Sequence, residues 1–150
     1  MAYAAGTVVS VARSQEEIQR LVRKHGARKV GTYTDDDAAV VTFQTNDRTV
    51  KFRIPMPGPD DPDVRAAAAK IHRAGGEALD RALEAEQRRR WRALVLVIKA
   101  RLEAVAEKVE TFDEAFLAHI VTDRGHTIME ELKMIERSTG QRMLGPVGDA

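Results

Sequence analysis

Glu86-Gln-Arg-Arg-Arg-Trp-Arg-Ala-Leu-Val-Leu-Val-Ile-Lys-Ala-Arg-Leu-Glu-Ala-Val105 runs a triple arginine into the only tryptophan and then into a densely apolar stretch. Trp91, Leu94, Ile98, Leu102, Val105, Val109 and Phe112 recur at spacings of three and four, which marks one face of a continuous helix. That face is too long and too apolar to be peripheral, so this helix is expected to be the spine of the fold, over about Glu77 to Glu110. The polar side carries a second pattern. At about 100° per residue, Arg81, Arg88, Arg92 and Lys99 fall within about 20° of one line. A cationic stripe on a rigid rod suits a polyanion, with Arg89 and Arg90 flanking it. Val95 and Leu96 interrupt the stripe, which implies that something covers it there. The competing reading is a solvated face, because Glu77 with Arg81 and Glu84 with Arg88 are i, i+4 pairs.

The residues before the spine alternate instead. Val50, Phe52 and Ile54 fall on one face of a strand from Thr49 to Ile54, with Thr49, Lys51 and Arg53 on the other. Ala38 to Gln44 supplies a matching strand through Ala39, Val41 and Phe43, and Lys29 to Tyr33 a third. Acidic Asp35-Asp36-Asp37 and Asn46-Asp47 read as the turns between them. The result is an antiparallel three-stranded meander with one wet, basic side. Upstream, Thr7 to Val11 reads as a short strand, and Ser14-Gln-Glu-Glu17 as a capping box opening a helix with Ile18, Leu21 and Val22 on one face and Gly26 as its stop.

Residues 55–62 hold four prolines and a glycine and form the linker to the helical part, residues 63–139. An alanine-rich helix is expected from Asp63 to Arg73, with a break at Gly75-Gly76. Two further capping boxes, Thr111-Phe-Asp-Glu114 and Thr127-Ile-Met-Glu130, open short helices around a turn at Asp123-Arg-Gly125. Gly140 ends the last helix, and residues 140–150 read as a tail. The expected fold class is α+β in a single domain: N-terminal strand and helix, three-stranded antiparallel meander, then a helical C-terminal half built on one long helix.

Composition narrows the function. The 150 residues contain no cysteine, which rules out disulfides and thiolate metal sites. The longest wholly apolar run, Ala93 to Ile98, is far short of a membrane span, and the N-terminus lacks the pattern of a signal peptide. A cytoplasmic protein is expected. The net charge of +1 hides an asymmetry: residues 1–57 carry nine basic against six acidic side chains, and residues 111–150 four against seven. That balance argues against a histone-like coating protein and allows head-to-tail contact between copies. With the all-round apolar Leu94 to Ile98, it leads to the expectation of a homo-oligomer. Trp91 sits beside the arginines, where a base-stacking residue would be, but its periodicity assigns it to the core; Tyr33 and Phe43 pose the same question.

No pair among His25, His72, His119 and His126 has metal-ligand spacing, although a turn at Asp123-Arg-Gly125 would let His119 and His126 come near each other. The acidic run Asp35 to Asp37 reads as a turn and Asp60, Asp61 and Asp63 as loop and N-cap. No nucleophile–base pair, glycine-rich phosphate loop or dinucleotide fingerprint is present in the sequence, so neither an enzyme, a cofactor nor a metal is expected.

Arg88 to Val105, followed by Thr111-Phe-Asp-Glu-Ala-Phe-Leu-Ala-His-Ile-Val121, resembles a family of short uncharacterised proteins of bacteriophages and prophages. The resemblance implies a phage setting in a bacterial host and brings no catalytic residues. The order of helix, basic meander and long basic helix is similar to the core of ring-forming single-strand annealing proteins, which hold DNA between hairpin and helix. The expected function is therefore non-catalytic nucleic-acid binding, in particular of single-stranded DNA during annealing or recombination. Lys51, Arg53, Arg81, Arg88, Arg92 and Lys99 are the expected contact residues, with Lys51 and Arg53 of the sheet and Arg88, Arg92 and Lys99 of the spine expected to line one groove. The alternatives are a small interaction protein that binds a host or phage protein, such as an inhibitor of a defence system, and a phage assembly component.

Overall fold

The structure is a computed structural model that describes residues 7–34, 37–45, 47–71 and 75–145. Asp35, Asp36, Asn46 and His72 lie outside the described residues, and with them parts of both expected meander turns. The chain is α+β. Helix α1 (Val11–Lys24) leads into strands β1 (Arg28–Thr34), β2 (Ala38–Thr45) and β3 (Arg48–Pro55). Helices α2 (Pro62–Ala69), α3 (Gly75–Ala106), α4 (Phe112–Phe116) and α5 (Ile128–Thr139) follow.

Helix α1 starts earlier than its sequence implies. Ser10, not Ser14, is the N-cap, and its hydroxyl accepts from the Arg13 amide at 3.2 Å. The expected strand at Thr7 to Val11 does not form: residues 7–10 carry no strand and Val11 is already helical. The reason is packing. One more turn of helix lays Val11 against the core and turns Ser14 inward, where it is fully buried. At the other end Gly26 takes φ +90° and reverses the chain as expected, in a region of backbone space that side chains rarely adopt.

The meander has strand order β1-β2-β3 and is antiparallel throughout. Ala39, Val41 and Phe43 stand opposite Ile54, Phe52 and Val50 on one face. That face receives α3 through Trp91, Leu94, Ile98 and Leu102, all at least 95% buried and all in one cluster with the strand residues. Val95, beside them on the helix, is fully buried as well, in the same cluster as Ile18 and Val22 of α1, which packs along α3. The element that interrupts the cationic stripe is therefore α1.

Helix α2 begins at Pro62 with Asp61 as N-cap, which accepts from the Asp63 amide at 2.9 Å, and it ends at Ala69, short of the expected Arg73. The helical path is interrupted between α2 and α3, and Gly75 and Gly76, expected to precede the spine, form its first turn. This helix of 32 residues spans about 48 Å. It stops at Ala106 rather than Glu110 because Lys108 adopts φ +60° and the Val109 amide turns back to the Ala104 carbonyl at 2.9 Å. Val109 is thereby thrown into solvent, and Phe112 belongs to the next element.

Both later capping boxes form, at Thr111 with Glu114 and at Thr127 with Glu130. Between them, Ile120 and Val121 pair with the free edge of β3, where the Val121 amide donates to the Thr49 carbonyl at 2.8 Å. This covers an edge that would otherwise present unpaired backbone groups. Gly140 ends α5 in the left-handed conformation, as its sequence implies.

Candidate nucleic-acid interface

Strand alternation decides where the sheet cations go. Val50 and Phe52 face α3, so Lys51 and Arg53 project from the opposite face. They do not line one groove with the spine stripe, contrary to the sequence-based expectation. The registers assemble their face row by row. Tyr33, Val40 and Arg53 lie side by side; Gly31, Thr42 and Lys51 form the next row; Arg28, Gln44 and Thr49 the third. Gln44 Nε2 donates to Thr49 Oγ1 at 3.2 Å, which fixes the parity of the third row.

Arg28 reaches this face because of an irregularity. The β1–β2 register shifts between Arg28 and Gly31, and Lys29 there takes φ +49°. Plain alternation would put Arg28 on the side of Val30 and toward the core; the bulge returns it to the side of Tyr33. The sequence carries a signal of this irregularity in Gly31, a glycine inside a strand. Gly31 also sits close to its neighbour, since a Cβ there would approach Thr42 Oγ1 to 3.2 Å.

The face is not uniformly wet. Val40 is 2% exposed and Ala38 fully buried. Tyr33 is 54% exposed, Arg28 and Arg53 are exposed, and Lys51 is half-buried. Phe43, the other strand aromatic, is buried on the inner face. Beyond the third row a polar hollow of about 430 Å³ is lined by Gly26, Arg28, Lys29, Gln44 and Asp47. The field of Lys51 also reaches the start of α5. It helps hold the Glu130 carboxyl below its ordinary value, behind the larger effect of the Thr127 amide.

The spine cations separate into two kinds. Arg92 binds Glu17 of α1 across the helix–helix contact, and both side chains are only 23% exposed. Arg90 donates to the Pro55 carbonyl at 2.6 Å and approaches Asp61 and Glu86 at 3.4 Å each, which ties the proline-rich linker to α3. Arg89 pairs with Glu86, and Arg81 stands 3.7 Å from Glu77 in an exposed pair. Arg88 and Lys99 have no ion pair among the described residues, and the Nε atoms of Arg88 and Arg89 are buried without a partner. Of the stripe, then, Arg92 serves the fold, and Arg88 and Lys99 remain as a sparse pair about 16 Å apart along the axis.

Trp91 is 2% exposed and serves the core, as its periodicity indicates. His119 stacks on Phe52 with ring centroids 4.0 Å apart, and Arg101 lies over the same Phe52 ring at 5.7 Å. Burial, and secondarily the positive charge of Arg101, hold the His119 ring below the ordinary histidine value. Among the described residues no three His, Asp or Glu side chains gather as a metal site would require, and no helix is long and apolar enough to cross a membrane. No family model, curated protein or solved structure matches this chain.

Proposed function

We propose that the chain is a non-catalytic nucleic-acid-binding protein that takes single-stranded DNA on the outer face of the meander, in annealing or recombination within a phage-infected bacterium. The observation that carries the reading is the exposed Tyr33 in register with Arg53, with Lys51 and Arg28 in the adjoining rows. Tyr33 and Arg53 are two strand spacings apart, about 10 Å, on either side of the buried Val40. A base stacked on Tyr33 would leave its phosphates near Arg53 across the sheet and Lys51 and Arg28 in the adjoining rows. Stacking is tolerant of sequence because every base has a π-face. The basic hollow at Arg28 and Lys29 extends the path toward the α1 terminus.

The test is a fluorescence-polarisation titration of labelled single strands at several salt concentrations. Tyr33→Ala should weaken binding by about 1–3 kcal/mol. Lys51→Gln and Arg53→Gln should weaken all sequences alike, each lowering the salt slope by about 0.7. Arg88→Gln with Lys99→Gln should change little, because α1 and the sheet separate them from this face. Absence of binding to single or double strands at low salt overturns the reading.

A second reading, a protein-interaction module or a self-associating assembly component, rests on α5. Met134 and Ile135 are 41% and 44% exposed, and Met143 and Leu144 lie exposed just beyond. None of the α5 residues is buried, although the helix is strongly amphipathic. The Leu94 to Ile98 run, by contrast, is largely covered within the chain, with only Val97 exposed. Light scattering of wild type and of Met134→Lys with Ile135→Lys tests this. An assembly that dissociates in the double variant supports it, and a monomer in both excludes self-association through α5.

A further inference from the structure

Where α1 and α3 both end, the core is not filled. A cavity of about 180 Å³ is lined by Val22, Ala27, Phe43, Leu102, Phe112 and Ala106, with His25 and Thr45 among its walls. Val22, Ala27, Phe43 and Leu102 are at least 90% buried, so its floor is the core itself. Gly26 and Ala106 are exposed, so its mouth opens between the two helix C-termini. The volume exceeds the roughly 150 Å³ that admits benzene to an apolar protein cavity.

Its chemistry is more specific than an apolar void. Two of its walls are aromatic and belong to one cluster of rings: Phe116 stacks on Phe112 at 4.8 Å and meets Phe43 edge-on at 5.9 Å. A flat aromatic guest finds both stacking and edge partners there. The polar atoms are acceptors in the first instance. His25 Nδ1 donates to the Leu21 carbonyl at 2.9 Å, and a carbonyl can only accept, so the proton of the neutral ring sits on Nδ1. The remaining ring nitrogen then carries a lone pair. Thr45 adds a hydroxyl that can accept, and the residue is 8% exposed.

We propose that this cavity is a binding site for a small aromatic molecule bearing one hydrogen-bond donor, of the phenol or indole class. The aromatic walls select the ring, and the His25 and Thr45 acceptors select the donor. Occupancy would join the end of α1, the end of β2, the last turn of α3 and α4, and so stiffen the junction next to the basic hollow at Arg28.

Phenol is the probe, with toluene as the isostere lacking the donor. In ¹H–¹⁵N correlation spectra of the full chain, phenol should shift the Gly26, Ala27 and Thr45 amides saturably with a Kd of about 1 mM or tighter. Toluene should bind no more tightly than phenol, because it leaves the acceptors unpaired. Ala106→Phe places a ring at the mouth from an exposed position and should abolish the phenol shifts while the melting temperature is kept. Ala106→Leu replaces it should that variant melt early. Three results overturn the proposal: no saturation at about ten times the expected Kd, binding of toluene with exclusion of phenol, or undiminished phenol binding in a folded mouth-blocked variant.

Discussion

Leu102 offers the sharpest test of how the spine is seated. It is 4% exposed, belongs to the main cluster, and also forms part of the wall of the cavity beside α4. Leu102→Ala removes three carbon groups from a buried site, about 2.4 kcal/mol at about 0.8 kcal/mol each. The void left behind adds to this, and buried Leu→Ala changes span about 2.7–5 kcal/mol. Leu102 has open space on one side already, so it loses fewer packed neighbours than a residue enclosed all round. The expected cost is about 3 kcal/mol, near the low end of that span. For a chain of this length each kcal/mol lowers the melting temperature by about 2–4 °C, so the drop should be about 6–12 °C. Calorimetry reads the shift directly, and urea titration should show a lower midpoint at unchanged slope. Ile98→Ala, at a fully buried position that lines no cavity wall near Leu102, should cost more, about 4 kcal/mol. A drop below about 2 °C for Leu102→Ala, or a larger cost there than at Ile98, would refute the placement of the spine face and of the cavity.

Two further predictions concern charged groups. His119 has a folded-state value held below its ordinary one of about 6.5, so the fold favours the neutral ring. Its contribution is complete above about pH 6.5 and is lost progressively as the pH falls toward the lowered folded value. His119→Phe, which preserves the stack on Phe52, should therefore flatten the stability profile between neutral and mildly acid pH; identical slopes in melts of the two proteins would count against it. Arg92→Gln should lower stability by about 1 kcal/mol, because it strips Glu17 of a partner at a contact where both side chains are largely covered, and should leave affinity for single strands unchanged. A loss of affinity in that variant without loss of stability would instead assign Arg92 to the interface.

The sequence by itself determined the element types wherever a local pattern was long or chemically explicit. The period of Trp91, Leu94, Ile98 and Leu102 marked the buried spine, and the alternation of Val50, Phe52 and Ile54 marked a half-buried strand. Thr111, Thr127, Gly26 and Gly140 marked helix ends because capping and left-handed backbone are satisfied within a few residues. Element limits were less legible. Ser10 and Ser14 are equally good caps locally, and only the burial of Ser14 against the core decides between them. Val109 continues the spine's periodic face by count, yet the turn at Lys108 removes it, because the chain must reverse to bring Phe116 under Phe43.

What the candidate site needed was a relation between elements, and no local pattern holds that. The cations of β3 and of α3 were each visible as charges on one face of their own element. Which faces look at each other depends on the side of the sheet on which α3 lands, and that is set by burial of Val50, Phe52 and the Trp91 face together. That packing sends Lys51 and Arg53 away from the spine, hands Arg92 to Glu17, and leaves Tyr33 exposed in register with Arg53. The cavity at His25 is likewise a product of packing alone, since it exists only where the ends of two helices, a strand and a short turn of helix fail to fill the space between them.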